Sequence, residues 1–225
     1  FGGVLTREIP RAAVAIALVT LAACATRPGP APTWEGLELA PSKRFDVVYL
    51  QPGADFSAYK AVILDPAQVA FAKDWDPNRD VRGVSRRLNA EDLEAIKDGL
   101  AGIVREIFTE ELGKGGYPLV DAPGHDVLRL SPAIVDLYIN APDRMEPGRS
   151  TTYTTDAGRM TLVLEVRDSV TGDLLARVVD AKSGRDTGMM TITNRVTNTA
   201  EARRAVRGWA ESLRKGFDQV TGKTS

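Results

Sequence analysis

The feature that most constrains this chain is an apolar run near its start, Ala12–Leu21, which is followed closely by the single cysteine, Cys24. Arg7 and Arg11 precede the run, and small alanines separate it from the cysteine. A basic start, an apolar stretch of about 7 to 15 residues and small residues before a cleavage site are typical of a secretory signal peptide. The run is shorter than the roughly 20 apolar residues that span a bilayer. We therefore predict that residues 1–23 are a signal peptide and that the rest of the chain is exported.

Residues Leu21–Cys24 resemble the lipobox of bacterial lipoproteins. The resemblance implies a diacylglycerol on the Cys24 thiol, cleavage just before Cys24, and a further acyl chain such as palmitate on the new amino group. Several acyl chains, at about 0.8 kcal/mol per buried CH₂, hold a protein on a membrane where one chain does not. Because Ala25 rather than an acidic residue follows, similarity to enterobacterial lipoproteins implies the outer membrane, with the domain in the periplasm. The alternative is an ordinary secreted protein whose cysteine happens to fall at the cleavage site.

The mature chain must be held together by its hydrophobic core. Its 202 residues are enough for one mid-sized domain, and no cysteine besides Cys24 is available for a disulfide. Loss of residues 1–23 changes the formal net charge from −1 to −2, and charges of both signs are mixed along the chain. Since no basic stripe is present, the sequence does not indicate a nucleic-acid partner.

The segment that follows the cysteine is predicted to be a tether. Ala25–Arg44 has a loop-like composition and contains three prolines spaced by two. Such a segment favours an extended polyproline conformation of about 3.1 Å per residue, so residues 24–44 could hold a domain up to roughly 60 Å from the lipid. We place a single folded domain at residues 45–222. A proline-rich docking motif is the functional alternative for the tether.

The first half of the domain is predicted to form short strands and then a long helix. Val47–Leu50 and Tyr59–Leu64 have strand composition, and a third short strand is expected before Trp75. After Asn89, a predicted N-cap, apolar residues recur at intervals of three and four, which indicates a helix with one buried face. Gly113–Gly116 ends this helix by supplying a left-handed glycine cap.

The second half contains the clearest hairpin in the sequence. Val127–Leu130 and Ala133–Ile139 are predicted strands, and their apolar residues stay on one face if a bulge lies at Ser131–Pro132. Met160–Val166 alternates apolar and other residues, and a turn over Asp168–Gly172 leads to its partner strand. The side chain of Asp168 is expected to accept hydrogen bonds from the turn's backbone.

The last element is predicted to be an amphipathic helix. Asn198 and Glu201 have capping-box spacing, and an apolar stripe follows that contains Trp209 and Phe217. A membrane-surface helix is the alternative to a helix packed on the sheet. Taken together, these elements predict an α+β domain in which an antiparallel or mixed sheet carries two long helices on one face.

The sequence contains few candidates for chemistry. His125 is the only histidine, which excludes a multi-histidine metal centre, and Gly124–Asp126 is predicted to be a turn before a strand. Glu165 with Asp168, or Asp168 with Asp173, could form the carboxylate pair of a glycosidase, but 30 acidic residues generate such pairs by chance. The charged segment Asp76–Arg87 could bind an anionic partner or be a solvated loop. We therefore predict no catalytic residue, no metal site and no cofactor, and lipidation at Cys24 is the one predicted site.

Four segments together resemble a known family. They are Phe45–Tyr49, Pro52–Lys60, the turn Asp168–Gly172 and Trp209 in the last helix. They resemble a family of predicted proteobacterial lipoproteins that carries a domain of unknown function, and the resemblance covers most of the mature chain. It implies lipidation and brings no activity or site residues. More loosely, the hairpin is similar to envelope lipoproteins built on small α/β sandwiches, such as auxiliary lipoproteins of transport systems and activators of wall synthases, at the level of fold alone.

Three functional hypotheses follow from the sequence. The first is a non-enzymatic, lipid-anchored accessory or binding module that binds an envelope protein or peptidoglycan. The second is an envelope hydrolase that uses Glu165, Asp168 or His125. The third is a carrier of lipid or another apolar molecule, which requires an apolar cavity between sheet and helices.

Overall fold

The main element of the fold is a twisted sheet of eight strands. The computed structural model describes residues 29–78, 87–139, 152–154, 158–183, 191–193 and 195–222, with 152–154, 191–193 and 195–198 described by their backbone alone. The elements are β1 (Thr33–Trp34), β2 (Leu37–Ala40), β3 (Val47–Leu50), β4 (Ala61–Leu64), β5 (Gln68–Phe71), α1 (Ala90–Lys114), β6 (Val127–Tyr138), β7 (Thr152–Thr154), β8 (Arg159–Asp168), β9 (Leu174–Ser183), β10 (Thr191–Thr193) and α2 (Arg195–Val220). None of the helices in the described part of the chain has the length and hydrophobicity that crossing a membrane would require.

The sheet is mixed. Its strand order is β1-β2-β3-β9-β8-β6-β4, and β5 also pairs with β6 beyond the end of β4. The strands β4 and β5 run parallel to β6, and the other neighbours in this sheet are antiparallel. The strands β7 and β10 form a separate antiparallel pair. The predicted α+β class with an antiparallel or mixed sheet is therefore confirmed.

Both helices pack on one face of this sheet. The buried sheet residues that face them recur at every second position, for example Leu162, Leu164 and Val166 of β8. They join one cluster with the buried stripes of α1 and α2, which include Phe108 and Trp209. Because this single cluster contains all of the largest fully buried side chains except Leu37 of β2, it is the core that holds the domain together.

Helix α1 begins and ends as its sequence predicts. The side chain of Asn89 accepts a hydrogen bond from the backbone N–H of Asp92, and the Asp92 carboxylate accepts one from the N–H of Asn89, at 2.9 Å each. At the other end, Gly116 has a φ of 69°, and the N–H of Tyr117 donates to the carbonyl of Leu112 at 3.0 Å. This is the Schellman arrangement, in which a left-handed glycine satisfies the last carbonyls of the helix.

The hairpin of β8 and β9 also confirms its prediction. Gly172 has a φ of 77°, and the pairing shifts register between Val166 and Arg167. The Asp168 carboxylate accepts hydrogen bonds from the N–H groups of Val170 and Thr171 at 2.8 Å each. The turn and the bulge together keep the apolar residues of both strands on the helix side.

The bulge in β6 lies further along the strand than predicted. Pairing with β8 is regular through Ser131 and Pro132, and the register shifts only between Val135 and Tyr138, where Asp136 has a φ of 52°. Pro132 is accommodated without a bulge because it lies between the β6 residues paired with β4 and those paired with β5, where a missing N–H costs no ladder bond. An exposed aspartate tolerates the left-handed backbone that the bulge needs.

Two predicted boundaries differ from the structure. Because β1 pairs with β2, and β2 pairs with β3, the sheet begins at Thr33. The paired structure therefore starts before residue 45, the predicted start of the domain. Helix α2 begins at Arg195, which places Asn198 inside the helix instead of at its N-cap. Capping-box spacing is a short local pattern, and no glycine or proline between Arg195 and Asn198 stops the helix from starting earlier.

Candidate functional site

The predicted site residues do not come together in the structure. Cys24, the signal peptide and most of the charged segment, residues 79–86, lie outside the described residues. His125 is exposed in the turn before β6, as predicted. In the described part of the chain, no group of three or more His, Cys, Asp or Glu side chains is placed to hold a metal ion.

Asp168 is occupied by its turn and by one tyrosine. Its carboxylate accepts a hydrogen bond from the hydroxyl of Tyr59 at 2.8 Å, in addition to the two turn N–H groups. The N–H of Thr171 and the Tyr59 hydroxyl lower the pKa of Asp168 below its ordinary value. Burial, followed by this hydrogen bond to Asp168, raises the pKa of Tyr59 to about 12. The pair therefore fastens the β8–β9 turn to the residues before β4.

Glu165 lies on the other face of β8, away from the helices. Arg177 donates to one of its oxygens at 2.5 Å and Arg167 donates to the other at 2.7 Å. Burial by itself would raise the pKa of Glu165, but the hydrogen bonds from the two arginines outweigh burial and lower it. Glu165 and Asp168 therefore bond to separate sets of partners, and no hydrogen bond among the described residues joins the two.

The face that carries Glu165 is the candidate functional surface, and we call it the open face because neither of the described helices packs on it. Four strands contribute one apolar residue each to a single row across it, and all four residues are half-buried. This valine row consists of Val47, Val179, Val163 and Ala133, which are paired in register. The next positions on the same side are Ala181, Thr161 and Val135, which are also small or β-branched. An antiparallel sheet whose second face is solvated normally has polar residues there, so this row is an exception to the pattern.

A polar row lies directly beside the valine row. It consists of Tyr49, Arg177, Glu165 and Ser131, again paired in register across four strands. The Arg177 side chain is 6% exposed, and its Nη2 donates to Glu165 and also to Glu35 at 2.7 Å. Its guanidinium carbon lies 4.1 Å from the ring centroid of Trp34, which covers it. Burial thus combines with two carboxylates and an aromatic ring to fix this cation on the open face.

The arginine has one donor left over. Its Nη1 is buried and has no hydrogen-bond partner among the described residues. An unsatisfied buried donor costs about 1–3 kcal/mol. The polar row is therefore held by several ion pairs, and Nη1 of Arg177 still lacks an acceptor among the described residues.

The far end of the polar row is closed by a bidentate ion pair. Arg129 donates to both oxygens of Asp65, and the hydroxyl of Ser131 donates to Asp65 at 2.7 Å. The hydrogen bond from Arg129 is the main reason that the pKa of Asp65 is lowered. Asp65, at the end of β4, thereby joins the edge of the sheet to the polar row.

Reasoning from the sequence missed this surface. The alternation of β8 and β9 predicts the residues that face the helices and assigns no role to the residues between them. Val163 and Val179 were a usable signal, since each is a valine at an outward position of an amphipathic strand. The role of Arg177 depends on Glu35 and Trp34, which lie more than a hundred residues earlier in the chain.

Comparison with known proteins identifies a family and a set of distant structural relatives. The family model for a protein of unknown function, DUF3313, matches residues 35–213. No curated protein matches the sequence.

Among solved structures, the fold is similar to PelC from Paraburkholderia phytofirmans, solved as a dodecamer, with 11% identity, a TM-score of 0.35, and coverage of 74% of this chain and 96% of that one. A DUF330 protein from Xanthomonas campestris has 12% identity and a TM-score of 0.39, with coverage of 77% and 91%. A minor lipoprotein from Acinetobacter baumannii has 12% identity and a TM-score of 0.33, with coverage of 73% and 95%. These likenesses are too distant to transfer a function. The family match spans most of the chain and confirms the resemblance seen in the sequence, so the chain belongs to the DUF3313 family, whose function is unknown.

Proposed function

We propose that this protein is a lipid-anchored component of the bacterial outer membrane whose domain binds another envelope protein through its open face. The anchor is the proposed diacylglycerol on Cys24, which is supported by the signal-peptide pattern and the lipobox residues. The domain acts as an accessory module, and no catalytic step is part of the proposal.

The valine row is the observation that carries the binding role. Surfaces of protein contacts combine an apolar centre with ordered polar groups at its border. The open face has both, with Val163 and Val179 in its centre and the Arg177–Glu165 pair alongside. Because the flanking charges are already paired and ordered, a partner would meet a preformed surface and little side-chain entropy would be lost on binding.

The chemistry of the row favours a protein over peptidoglycan. Peptidoglycan is a polar polymer with little apolar surface to cover four aliphatic side chains in a row. A protein surface with exposed apolar residues gains about 25 cal/mol for each Å² of apolar area removed from water. We therefore take a protein as the partner and treat binding to isolated peptidoglycan as an outcome that would contradict the proposal.

Mass spectrometry of the protein purified from its native membrane tests the anchor. We expect a mature chain that begins at Cys24 and carries a diacylglycerol on the thiol and an acyl chain on the amino group. An unmodified Cys24 thiol, or a chain that still carries residues 1–23, would contradict the anchoring proposal.

Crosslinking in intact cells, followed by purification of the full-length protein, tests the binding role. We expect a discrete crosslinked complex with the wild-type protein and with Val163→Thr, which keeps the shape of the side chain. Val163→Glu places a charge in the middle of the valine row and is expected to reduce the complex at least about tenfold, because an unpaired carboxylate would be buried in the contact.

Two controls make this result specific to the open face. Lys215→Glu changes the charge of an exposed residue on α2 and is expected to leave the complex intact. The unfolding free energy of Val163→Glu, measured in urea, must stay close to that of the wild type, since a misfolded protein would lose the complex for another reason. An unchanged complex with Val163→Glu, or the uncomplexed protein under all crosslinking conditions, would overturn the binding proposal.

A further inference from the structure

We infer that the outer surface of the β1–β2 hairpin rests on the lipid surface to which Cys24 anchors the chain. The inference rests on the proposed lipidation and adds a second, non-covalent contact to it. The contact surface consists of Pro32, Trp34 and Leu39, which we call the hairpin patch.

The pairing of β1 with β2 brings these three residues to one side of the hairpin. Trp34 is paired with Leu37, and the N–H of Leu39 donates to the carbonyl of Pro32 at 2.9 Å. Pro32, Trp34, Leu37 and Leu39 therefore share one side. Leu37 is buried, whereas Pro32 is exposed, and Trp34 and Leu39 are 39% and 40% exposed. Four large apolar residues are exposed in the described part of the chain, and this hairpin carries two of them.

The ring of Trp34 is held in place by two side chains that pack against it, Arg177 and Tyr49. The guanidinium of Arg177 lies 4.1 Å from its ring centroid, and the ring of Tyr49 meets it edge-on at 5.6 Å. The hydroxyl of Tyr49 donates to the carbonyl of Ala31 at 2.9 Å, and the carboxylate of Glu35 bonds to Arg177. The hairpin therefore presents its tryptophan in a fixed orientation, and contact with another surface requires no further ordering of the ring.

The short distance along the chain to the anchor identifies a lipid surface as the occupant. Because the sheet begins at Thr33 and the carbonyls of Ala31 and Pro32 are bonded to the domain, the tether is shortened from the predicted span, residues 24–44, to residues 25–30. Six residues reach at most about 19 Å at about 3.1 Å per residue in a polyproline conformation. A tether of this length holds the patch at an effective concentration in the millimolar range relative to the membrane, so even a weak apolar contact is populated.

The residue types suit the boundary between lipid and water. Tryptophan is enriched at this boundary because its ring is largely apolar and its indole N–H remains hydrogen-bonded to the polar side. Leu39 adds aliphatic surface next to it, and Pro32 continues the patch toward the tether. The valine row begins on β3, two strands in from β1, so the lipid contact and the partner contact fit on the same face of the sheet.

Fluorescence quenching by lipid measures this contact directly. The mature, lipidated protein is reconstituted into vesicles of phosphatidylethanolamine and phosphatidylglycerol with or without brominated acyl chains, and each sample is floated to separate bound from free protein. The chain has three tryptophans, and Trp34 is the one in the patch. We expect brominated vesicles to remove up to about a third of the tryptophan emission, and we expect this loss to disappear in Trp34→Phe.

Two matched variants serve as controls. Trp75 lies just after β5, which pairs at the opposite side of the sheet from β1, so Trp75→Phe is expected to keep the quenching. Leu39→Ser is expected to weaken the quenching at least about twofold by making the patch more polar, whereas Val170→Ser, at an exposed valine of the β8–β9 turn, is expected to leave it unchanged.

The outcomes separate this inference from the anchoring proposal. If the protein floats with the vesicles and the quenching is absent, or persists in Trp34→Phe, the lipid contact is wrong and the anchor stands. If quenching varies with the ratio of protein to lipid, a second protein copy covers the patch, which also overturns the inference. If the protein does not float at all, the anchoring proposal fails and the lipid contact fails with it.

Discussion

The two faces of the main sheet show how one strand can serve two purposes. On β8, Leu162, Leu164 and Val166 face the helices and are each 1% exposed or less. The two residues between them, Val163 and Glu165, lie on the open face and stay half-buried. Because side chains alternate along a strand, the first set can be selected for folding and the second for contact with a partner without conflict. We interpret the open face as the part of the domain that is free to acquire a function.

The two faces also differ in the hydrogen bonding of their buried charged residues, Asp180 and Arg177. Asp180 is buried on the covered face and is fully paired, because it accepts from the indole N–H of Trp209 and the N–H of Asp46 at 2.8 Å each and bonds to Lys182 at 2.7 Å. Arg177 is buried on the open face, and its Nη1 is unpaired among the residues that the structure describes. A partner bound to the open face could satisfy this group, although unpaired buried groups are not confined to that face, since Nε of Arg214 in α2 also has no hydrogen-bond partner among the described residues.

The largest difference between the faces is expected from truncating neighbouring residues of β8. Leu164→Ala leaves a cavity in the core and should cost about 2–5 kcal/mol of unfolding free energy. Val163→Ala removes less buried surface and should cost about 1 kcal/mol or less. Urea unfolding of the two variants measures both values, and equal losses would show that the open face is packed like the core.

The next largest effect is expected at the buried aspartate. Asp180→Ala leaves the indole N–H of Trp209 and the N–H of Asp46 without their acceptor, which should cost about 2–4 kcal/mol. Arg177→Met, on the open face, removes the bonds from Nη2 to Glu165 and Glu35, but Glu165 keeps its bond from Arg167 and Glu35 is exposed, so neither carboxylate is left buried without a partner and the loss should be smaller, about 1–2 kcal/mol. A loss at Arg177 as large as that at Asp180 would mean that the polar row is part of the folding core.

A smaller effect is expected from acid. Despite burial, which by itself would raise it, the arginine pairs lower the pKa of Glu165 in the folded protein below the ordinary value of 4.5. A lowered pKa adds stability that is present above the unfolded-state pKa and is lost as the pH falls through the folded-state pKa. Stability measured by urea unfolding should therefore decline below a pH of about 4.5, and Glu165→Gln should make the decline shallower.

Asp65 provides the matched control for the acid experiment. The hydrogen bond from Arg129 lowers its pKa below the ordinary value of 3.8, so its contribution has the same sign but begins at a lower pH. Asp65→Asn should leave the decline between pH about 4.5 and 4 unchanged. An identical acid profile for the wild type and Glu165→Gln would contradict the role given to the arginine pairs.

The smallest effect is expected on the outer side of the helices. Arg203 of α2 bonds to Glu106 of α1, and both side chains are exposed. Exposed ion pairs contribute about 0–1 kcal/mol. Arg203→Ala should therefore change the urea midpoint only slightly, and a loss comparable to Leu164→Ala would show that the helix pair depends on its surface charges.

The sequence predicted features that depend on near neighbours. The capping box at Asn89 and the left-handed Gly172 were readable because each is determined by a few adjacent residues. The bulge was placed at Ser131–Pro132 because proline disrupts strands in general, but whether this proline costs a bond depends on where β4 and β5 end. The ends of β4 and β5 are determined by pairing between distant segments, so the residues around Asp136 do not by themselves predict the bulge there.

The same limit explains why the candidate surface was missed. The start of the sheet at Thr33 depends on pairing between β2 and β3, and the tether prediction considered composition alone. Besides Glu165 of the adjacent strand, Arg177 gains its partners only when Trp34 and Glu35 fold against β9. The alternation of β8 and β9 separates the two faces, and the valines at outward positions, Val163 and Val179, are the one local signal of the open face.

Protection of a single cysteine on the open face tests the central claim most directly. Ala181→Cys places a thiol at an exposed position beside the valine row, and Lys215→Cys places one on the exposed side of α2. Both are labelled with a maleimide in the intact envelope and after purification of the full-length protein. If the open face binds a partner, the thiol at position 181 is labelled several-fold more slowly in the envelope than in the purified protein, while the thiol at position 215 reacts at the same rate in both. Equal labelling of position 181 in both states would contradict the account.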